Sequence, residues 1–225
     1  MKLYLDPLST SCRPITLFLA DHDLAVERVS INLFEGDQHS PEFLALNPNG
    51  SVPVLVHDGL VLTESAAILK YLAELTRSSA YPTELRARAS VNAWMDWFNT
   101  GLGADFAWGF VYPQVLREFH GFPDDRVQSA FVERGRERTA RRMRVLDSQL
   151  GATDGAFVLG PTPTLADYQG ACVASLGELI GFDYGPYSKV ARWLRAMRAR
   201  PSWDEINAAF YGWRSATLSR RAVSA

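Results

Sequence analysis

The sequence contains few cysteines, few histidines and no long apolar run. Of its 225 residues, two are cysteines and four are histidines. Because Cys12 and Cys172 lie far apart, they build neither a disulfide framework nor a zinc-site spacing, so we expect no metal and a reducing, cytoplasmic environment. A membrane-spanning helix needs about 18 consecutive apolar residues, and no such run occurs. Residues 1–22 are interrupted by charged residues and a proline, so we also expect no signal peptide.

The charges are nearly balanced, with 23 basic and 25 acidic residues and a formal net charge of −2. This balance argues against a dedicated nucleic-acid or membrane-surface protein, so we expect neither partner. The composition, 47% hydrophobic and 21% charged, is typical of a globular protein. The length fits one large or two small domains.

The first part of the chain alternates between strand and helix patterns. Short apolar runs bounded by turn residues predict strands, and apolar residues at helical spacing predict helices. Asp58-Gly59 is a hairpin signal between two of the strands. The predicted order over residues 1–76 is β-α-β-α-β-β-α, an α/β domain with a mixed sheet. The predicted segments are residues 2–5, 11–20, 26–32, 41–46, 54–57, 60–62 and 63–75.

The remainder of the chain carries helical patterns almost throughout. Small residues and a proline make residues 77–83 a predicted linker. Residues 84–225 are predicted to form an all-helical domain, with glycines and a proline between the helices. The predicted helices are residues 84–116, 124–150, 164–180, 188–200 and 202–211.

Two residues after the first strand are candidates for chemistry. Ser9 lies in a strand-to-helix loop, where backbone N–H groups favour an anion that its hydroxyl could also bind; a loop or capping serine is the alternative. A nucleophilic serine would need a histidine base and usually a Gly-x-Ser-x-Gly turn, and the sequence shows neither signature. Cys12 lacks the second cysteine of a Cys-x-x-Cys redox pair, so we expect it to be a buried helix residue.

Two residue pairs suit a peptide-like ligand. If the Val52–Pro53 bond is cis, the backbone of Val52 is free to pair with an extended peptide; an ordinary trans proline is the alternative. Glu64 and Ser65 open a helix. There Ser65 can bind a carboxylate and Glu64 an ammonium, as in the head group of an amino acid. A helix cap is the alternative interpretation of that pair.

These signals follow one another on a single β-α-β-α-β-β-α frame, and with them the sequence resembles the glutathione transferase family. The resemblance is closest to the serine-type theta and delta classes. It covers residues 1 to about 210, and residues 164–167 match the family's helix-capping box. It implies a thioredoxin-like first domain and a homodimer. The matching stretches are residues 4–13 (YLDPLSTSCR), 46–55 (LNPNGSVPVL) and 62–72 (LTESAAILKYL).

The resemblance also implies glutathione as the co-substrate and assigns residues to it. Ser9 would hold the thiolate. Val52, before a cis Pro53, would pair with the cysteinyl backbone, and Glu64 and Ser65 would hold the γ-glutamyl end.

For the glycyl end, the resemblance is less complete. His39 falls near a family histidine that contacts the glycyl carboxylate, but one residue is missing before the next helix. A second basic or histidine contact of the family falls near residues 50–51, which are Gly-Ser in this chain. Arg13 matches a residue with a supportive role near the catalytic loop.

A pocket for a small electrophile would lie between the two domains. The aromatic residues at 106–112 recur at every second position, so one helix face cannot hold them all. We expect Phe106 and Phe110, together with Leu8, to form the pocket wall. Asn99 is either a surface amide or reaches the ligand of a neighbouring subunit.

The expected activity is attack of the glutathione thiolate on a largely apolar electrophile. One alternative is a glutathione-dependent isomerase or dehalogenase on the same fold. Maleylacetoacetate isomerases usually carry Gln-Ser where this chain has Glu64-Ser65, which argues against that isomerase. The other alternative is a non-catalytic binding or scaffold protein, which fold alone does not exclude.

Overall fold

The first part of the molecule is built on a four-stranded mixed sheet. The computed structural model describes residues 1–116, 121–153 and 155–223. The sheet has the order β2-β1-β3-β4. β1 is parallel to β2 and antiparallel to β3, and β3 pairs antiparallel with β4. The strands are β1 (Lys2–Leu5), β2 (Glu27–Ser30), β3 (Val54–His57) and β4 (Leu60–Thr63).

Three helices accompany this sheet, and their starts follow from the sequence. Pro14 occupies the first turn of α1, where a missing N–H is tolerated. Pro41 does the same in α2, and the Ser40 hydroxyl caps that helix by accepting the N–H of Phe43 at 3.3 Å. The predicted order β-α-β-α-β-β-α is confirmed. The helices are α1 (Arg13–Asp21), α2 (Pro41–Leu46) and α3 (Ser65–Leu75), and a 3₁₀ turn (Asp37–His39) precedes α2.

The second part is helical, which confirms the predicted fold class. A π-helical segment (Trp97–Val111) connects α4 to α5, and a 3₁₀ segment (Ser175–Ile180) continues α7. The division at residues 77–83 stays a prediction. The helices are α4 (Leu85–Asp96), α5 (Tyr112–Val115), α6 (Asp125–Ala152), α7 (Leu165–Ala174), α8 (Ser188–Arg198), α9 (Trp203–Ile206) and α10 (Ala208–Val223).

The start of α7 carries a fully satisfied buried carboxylate. Thr164 and Asp167 form the capping box that the sequence suggests. Asp167 Oδ2 accepts the backbone N–H of Thr164 at 2.8 Å. Oδ1 accepts the backbone N–H of Val158 and the indole N–H of Trp193, each at 2.9 Å. The cap therefore holds a loop and α8 against the start of α7.

The last predicted helix, residues 202–211, is in fact two helices. α9 ends before Asn207 and α10 begins after it. Asn207 is buried, and its Nδ2 donates to the carbonyl of Trp203 at 2.8 Å. The backbone N–H of Asn207 donates to the same carbonyl at 3.0 Å, and Asn207 Oδ1 accepts a hydrogen bond from Arg13 at 2.9 Å. α10 then continues to Val223, twelve residues beyond the predicted end at residue 211.

The two parts of the chain share one core because α1 packs against α7. The ring of Phe18 on α1 meets Tyr168 on α7 edge to face, with centroids 5.6 Å apart. The Tyr168 hydroxyl donates to Asp21 at 2.8 Å, and Arg200 pairs with the same carboxylate. The sheet and the helices are thus held in one relative position.

The π-helical segment and α6 approach each other closely at a pair of glycines. A Cβ added at Gly135 would lie 1.9 Å from the carbonyl oxygen of Gly109. We therefore expect Gly135→Ala to push the two helices apart and to lower the free energy of unfolding by at least about 2 kcal/mol. Urea unfolding followed by circular dichroism measures this change.

Gly212→Ala is the matched control, since a Cβ there meets no heavy atom within 4 Å. The higher helix propensity of alanine should leave stability unchanged or raise it by up to about 1 kcal/mol. Equal effects of the two substitutions would show that the Gly135–Gly109 contact does not limit the packing.

Candidate active site

Four loops of the first part meet at one edge of the sheet. β1, β2 and β4 all end at this edge and β3 begins there, because β3 runs opposite to the other three strands. The loops after β1 and β2, the entry to β3 and the start of α3 are therefore neighbours. The helical part covers this edge.

A cavity of about 420 Å³ lies between the sheet edge and the helical part. Leu8, Ser9, Val52 and Ser65 all line it, so the structure brings these predicted residues together. The full lining from the first part is Asp6, Leu8, Ser9, Thr10, Ser11, Leu33, Phe34, Gln38, Gly50, Ser51, Val52 and Ser65. The lining from the helical part is Asn99, Gly103, Ala107, Trp108, Tyr112, Leu116, Gln169, Val173 and Trp213.

The loop that carries Ser9 is held by a carboxylate that sequence reasoning did not single out. Asp6 is buried, and its Oδ1 and Oδ2 accept the backbone N–H groups of Leu8 (2.8 Å) and Leu33 (3.1 Å). The carbonyl of Ser9 accepts the N–H groups of Cys12 and Arg13, both at 3.0 Å, in the turn that leads into α1. Asp6 follows directly on β1, and that position is the signal that could have identified it.

Val52 enters the cavity just before β3. The Val52–Pro53 peptide bond is cis, and both residues are buried. The paired register of β3 begins at Val54, so Val52 lies outside the sheet's hydrogen-bond ladder. Its backbone is thus at the sheet edge, where an extended ligand can lie alongside it.

Of the predicted pair Glu64 and Ser65, only Ser65 lines the cavity. Ser65 is buried at the first position of α3 and lines the cavity. Glu64 precedes the helix with φ +68°, a conformation that non-glycine residues rarely adopt. Its side chain is exposed and is not part of the lining, so only Ser65 faces the cavity directly.

On the side of the cavity opposite to Ser65, Gln38 is part of the lining and the adjacent His39 is not. His39 is exposed in the 3₁₀ turn, and its ring lies next to Gly50, where an added Cβ would be 3.1 Å from Nδ1. Gln38 lines the cavity instead. His39 itself is not part of the lining, so the expected contact between His39 and a ligand stays a prediction.

The aromatic wall also differs from the expectation. Phe106 and Phe110 face the core and pack on Phe182, with ring centroids 5.3 and 6.2 Å away, and neither lines the cavity. Trp108 and Tyr112 line it instead. Both pairs are four residues apart, so spacing along the helix does not determine which pair faces the cavity; packing of the π-helical segment does.

A hydrogen bond joins the loop after β1 to the helical wall. Thr10 Oγ1 and Tyr112 Oη are 2.6 Å apart. Burial raises the pKa of the Tyr112 phenol, an effect that the Thr10 hydrogen bond partly offsets. Tyr112 is therefore an uncharged hydroxyl group at neutral pH. Its partner, Thr10, is the residue that follows Ser9.

Arg13 does not line the cavity. Its side chain is 1% exposed and reaches into the helical part. Nη1 donates to Ser175 Oγ (3.1 Å) and Asn207 Oδ1 (2.9 Å), and Nη2 donates to the carbonyl of Cys172 (2.9 Å). Its guanidinium carbon lies 4.1 Å from the centroid of the Phe210 ring. Arg13 thus supports the site indirectly by fastening the start of α1 to the helical part.

We expect Arg13→Ala to lower the free energy of unfolding by about 3 kcal/mol, because it removes three buried hydrogen bonds and the cation–π contact. Chemical denaturation measures this loss. Arg136→Ala is the control, since Arg136 pairs with Glu133 on an exposed helix face, and it should not change stability measurably. A similar effect of both variants would contradict a supporting role for Arg13.

Neither cysteine is placed for chemistry at neutral pH. Cys12 is buried at the position before α1, as expected. Burial raises the pKa of its thiol to about 12, although hydrogen bonds with Ser9 and the backbone of Asp6 oppose the shift. Burial also raises the pKa of the Cys172 thiol to about 11. Both groups are therefore uncharged thiols, which are poor nucleophiles.

At about pH 8, the folded protein should react negligibly with a chromogenic disulfide reagent, because the thiolate is the reactive species. After unfolding in guanidinium chloride, both cysteines should react. Rapid labelling of one thiol in the folded state would show that Cys12 or Cys172 is exposed and ionised.

His22 and His57 do not line the cavity and bond to hydroxyl groups elsewhere. His22 bonds to Ser78 at 2.7 Å, and His57 bonds to Tyr71 at 2.7 Å. His120 lies outside the described residues. Within the described ranges, no three His, Cys, Asp or Glu side chains come together as a potential metal site. Each helix in the described part of the chain is too short or too polar to cross a membrane.

Comparison with known proteins assigns this arrangement a family. Residues 1–74 match the model of "Glutathione S-transferase, N-terminal domain". Glutathione S-transferase D7 of Drosophila melanogaster is 30% identical over 91% of this chain and 88% of its own length. Glutathione S-transferase T3 of Arabidopsis thaliana is 31% identical over 92% of this chain, which spans only 36% of that relative's length.

The solved structures include one of similar length and shape. A delta-class glutathione transferase of Nilaparvata lugens superimposes with a TM-score of 0.83 at 30% identity, covering 97% of this chain and 98% of that one. The similarity therefore extends over both the sheet and the helical part, and so over both walls of the cavity.

Proposed function

The chain belongs to the glutathione S-transferase family, and we propose that it activates the thiol of glutathione as a thiolate that attacks small, largely apolar electrophiles. The observation that carries this proposal is the meeting of Ser9, Val52 and Ser65 around one cavity with an apolar helical wall. Glutathione acts as a co-substrate, and the proposed chemistry uses no metal.

In this mechanism the Ser9 hydroxyl donates a hydrogen bond to the sulfur. A free thiol has a pKa of about 8.5, so only a few per cent is ionised at neutral pH. A hydrogen bond to a charged group contributes about 1.5–3 kcal/mol, which corresponds to about one or two pKa units. The Asp6 carboxylate holds the backbone beside Ser9 and thereby fixes where the hydroxyl can lie.

The rest of glutathione lies along the sheet edge. The backbone of Val52, next to the cis Pro53, pairs with the cysteinyl residue, and Ser65 receives the γ-glutamyl carboxylate at the start of α3. Glu64, exposed beside that helix start, reaches the γ-glutamyl ammonium from outside the cavity.

The electrophile occupies the side of the cavity formed by the helical part. Trp108, Tyr112, Val173 and Trp213 give this wall its apolar character, and Leu8 faces them from the loop after β1. Asn99 lines the cavity of its own chain and accepts a hydrogen bond from Gln169, so we assign it to this wall. We further propose that the protein is a cytoplasmic homodimer, as the family similarity suggests.

Ser9→Ala tests the proposed activation. Glutathione binding should stay largely intact, whereas the pKa of the bound thiol should rise by about one or two units. The rate at neutral pH should fall about 10- to 100-fold, because less thiolate is present. The difference between variant and parent should shrink as the pH rises above the thiol pKa of the variant.

Ser11→Ala is the matched control, because it removes a hydroxyl from the same loop two residues away. Ultraviolet difference spectra of the bound thiolate and initial rates with a haloalkane or nitroaromatic substrate give both readouts. An unchanged rate together with an unchanged thiol pKa in Ser9→Ala would remove Ser9 from the mechanism. Absence of thiolate formation in the parent protein would favour a binding or scaffold role.

A further inference from the structure

The loops at the sheet edge span the length of a short extended peptide. β4 and β2 are the two outer strands of the sheet. Ser65 follows β4, and Gln38 lies in the segment after β2. Three strand spacings, or about 14 Å, separate β4 from β2, and Val52, before β3, lies between them. A thiol tripeptide held at its first residue by Ser65 and at its second by Val52 therefore places its third residue beside Gln38, Gly50 and Ser51.

We propose that this third-residue end is recognised by uncharged groups, namely the Gln38 amide, the Ser51 hydroxyl and nearby backbone, so that the ligand needs no negative charge there. This inference rests on the proposed use of a γ-glutamyl-cysteinyl thiol. It predicts that the protein accepts co-substrates whose terminal carboxyl group is neutral, as an amide or an ester, nearly as well as glutathione itself.

Gln38 has hydrogen-bonding capacity left for a ligand. Its Oε1 is shielded from solvent and has no partner among the described residues. Its Nε2 makes two long contacts, to the carbonyl of Leu33 at 3.4 Å and to Nε2 of His39 at 3.3 Å. A buried unpaired acceptor is costly, and a ligand N–H would satisfy it. Rotation of the amide by 180° would instead present its N–H groups to a carboxylate.

Ser51 is held in place as a donor. The side chain of Asn47 is buried, and its Nδ2 donates to the carbonyl of Ser51 at 2.7 Å and to its Oγ at 3.2 Å. Because Oγ already accepts a hydrogen bond, the hydroxyl hydrogen remains available for a ligand. The hydroxyl is a neutral donor that can bind a carboxylate, an ester carbonyl or an amide carbonyl.

Gly50 allows the backbone to approach the ligand closely. Its φ of +58° lies in the left-handed region, and the His39 ring occupies the position where a Cβ would point. Of the described residues that line the cavity, none is Lys, Arg or His, and the charged one is Asp6. Both oxygens of that carboxylate accept backbone N–H groups, from Leu8 and Leu33. The lining groups at this end are thus an amide, a hydroxyl and peptide units.

The energetic consequence is weak discrimination by charge. A hydrogen bond between neutral partners is about half as strong as one in which a partner is ionised. The carboxylate of glutathione therefore forms stronger hydrogen bonds to these donors than an amide does, but it also loses more hydration and meets no cation among the described lining residues. Because these two effects oppose each other, replacing the carboxylate by an amide should change the dissociation constant by no more than about threefold. At a site that pairs the carboxylate with a cation, the same replacement should weaken binding about tenfold or more.

The test uses the full chain and three thiols: glutathione, its glycyl amide and its glycyl ethyl ester. Dissociation constants come from quenching of tryptophan fluorescence, since Trp108 and Trp213 line the cavity. We expect the three constants to agree within about threefold. Binding of both neutral thiols at least tenfold weaker than glutathione would overturn the inference.

Gln38→Glu places a negative charge at the same position with nearly the same shape. It should raise the dissociation constant of glutathione about tenfold through like-charge repulsion and change that of the amide less than threefold. An equal change for both ligands would contradict the placement of Gln38. If this variant does not fold, Gln38→Lys should strengthen binding of glutathione about fivefold relative to the amide, and a constant ratio would overturn the inference.

His39→Asn controls for a positive charge on His39, whose ring lies next to Gly50. The ratio of the glutathione and amide constants should stay within twofold of the parent value. A selective loss of glutathione binding in this variant would overturn the inference by assigning recognition to the histidine. The proposed function fails separately: in that case the parent protein binds none of the three thiols, or binds them without forming a thiolate.

Discussion

The site depends on the direction of β3 relative to its neighbours. Because β1 and β2 are parallel and β3 runs against β1, the ends of three strands and the beginning of the fourth meet at one edge. Val52, which precedes the paired part of β3, lies outside the sheet's hydrogen-bond ladder, so an extended ligand can pair with its backbone. The Asp6 carboxylate then binds the loops after β1 and β2 to each other through Leu8 and Leu33, and this determines where Ser9 lies.

The helical part completes the cavity, and its position relative to the sheet is set by buried polar contacts. Arg13 on α1 donates to three uncharged acceptors in the helical part, and Tyr168 on α7 donates to Asp21 on α1. Such contacts are directional, so they fix one orientation of the two parts where apolar packing alone would tolerate several. The Thr10–Tyr112 hydrogen bond makes the same connection at the cavity itself.

Much of the fold follows from local patterns. Strands with turn residues between them, Pro14 and Pro41 at helix starts, and the capping box at Thr164–Asp167 are recognisable because each depends on residues close in sequence. The separation of α9 from α10 is not recognisable in this way, because the residue between them, Asn207, is buried against Arg13, which is 194 positions away in the chain. The π-helical segment is equally hidden, since its packing against α6 involves residues far along the chain.

The sequence by itself determined the order of the elements, the family resemblance, and the candidates Ser9, Val52 and Ser65, because these lie in short stretches whose residue types reflect local backbone requirements. Only the tertiary structure decided which side chains face the cavity: Gln38 rather than its neighbour, and one pair of aromatic rings rather than the other. Side chains four residues apart share a helix face whatever their identity, and the choice of face is made by the long-range packing of that helix against the rest of the protein.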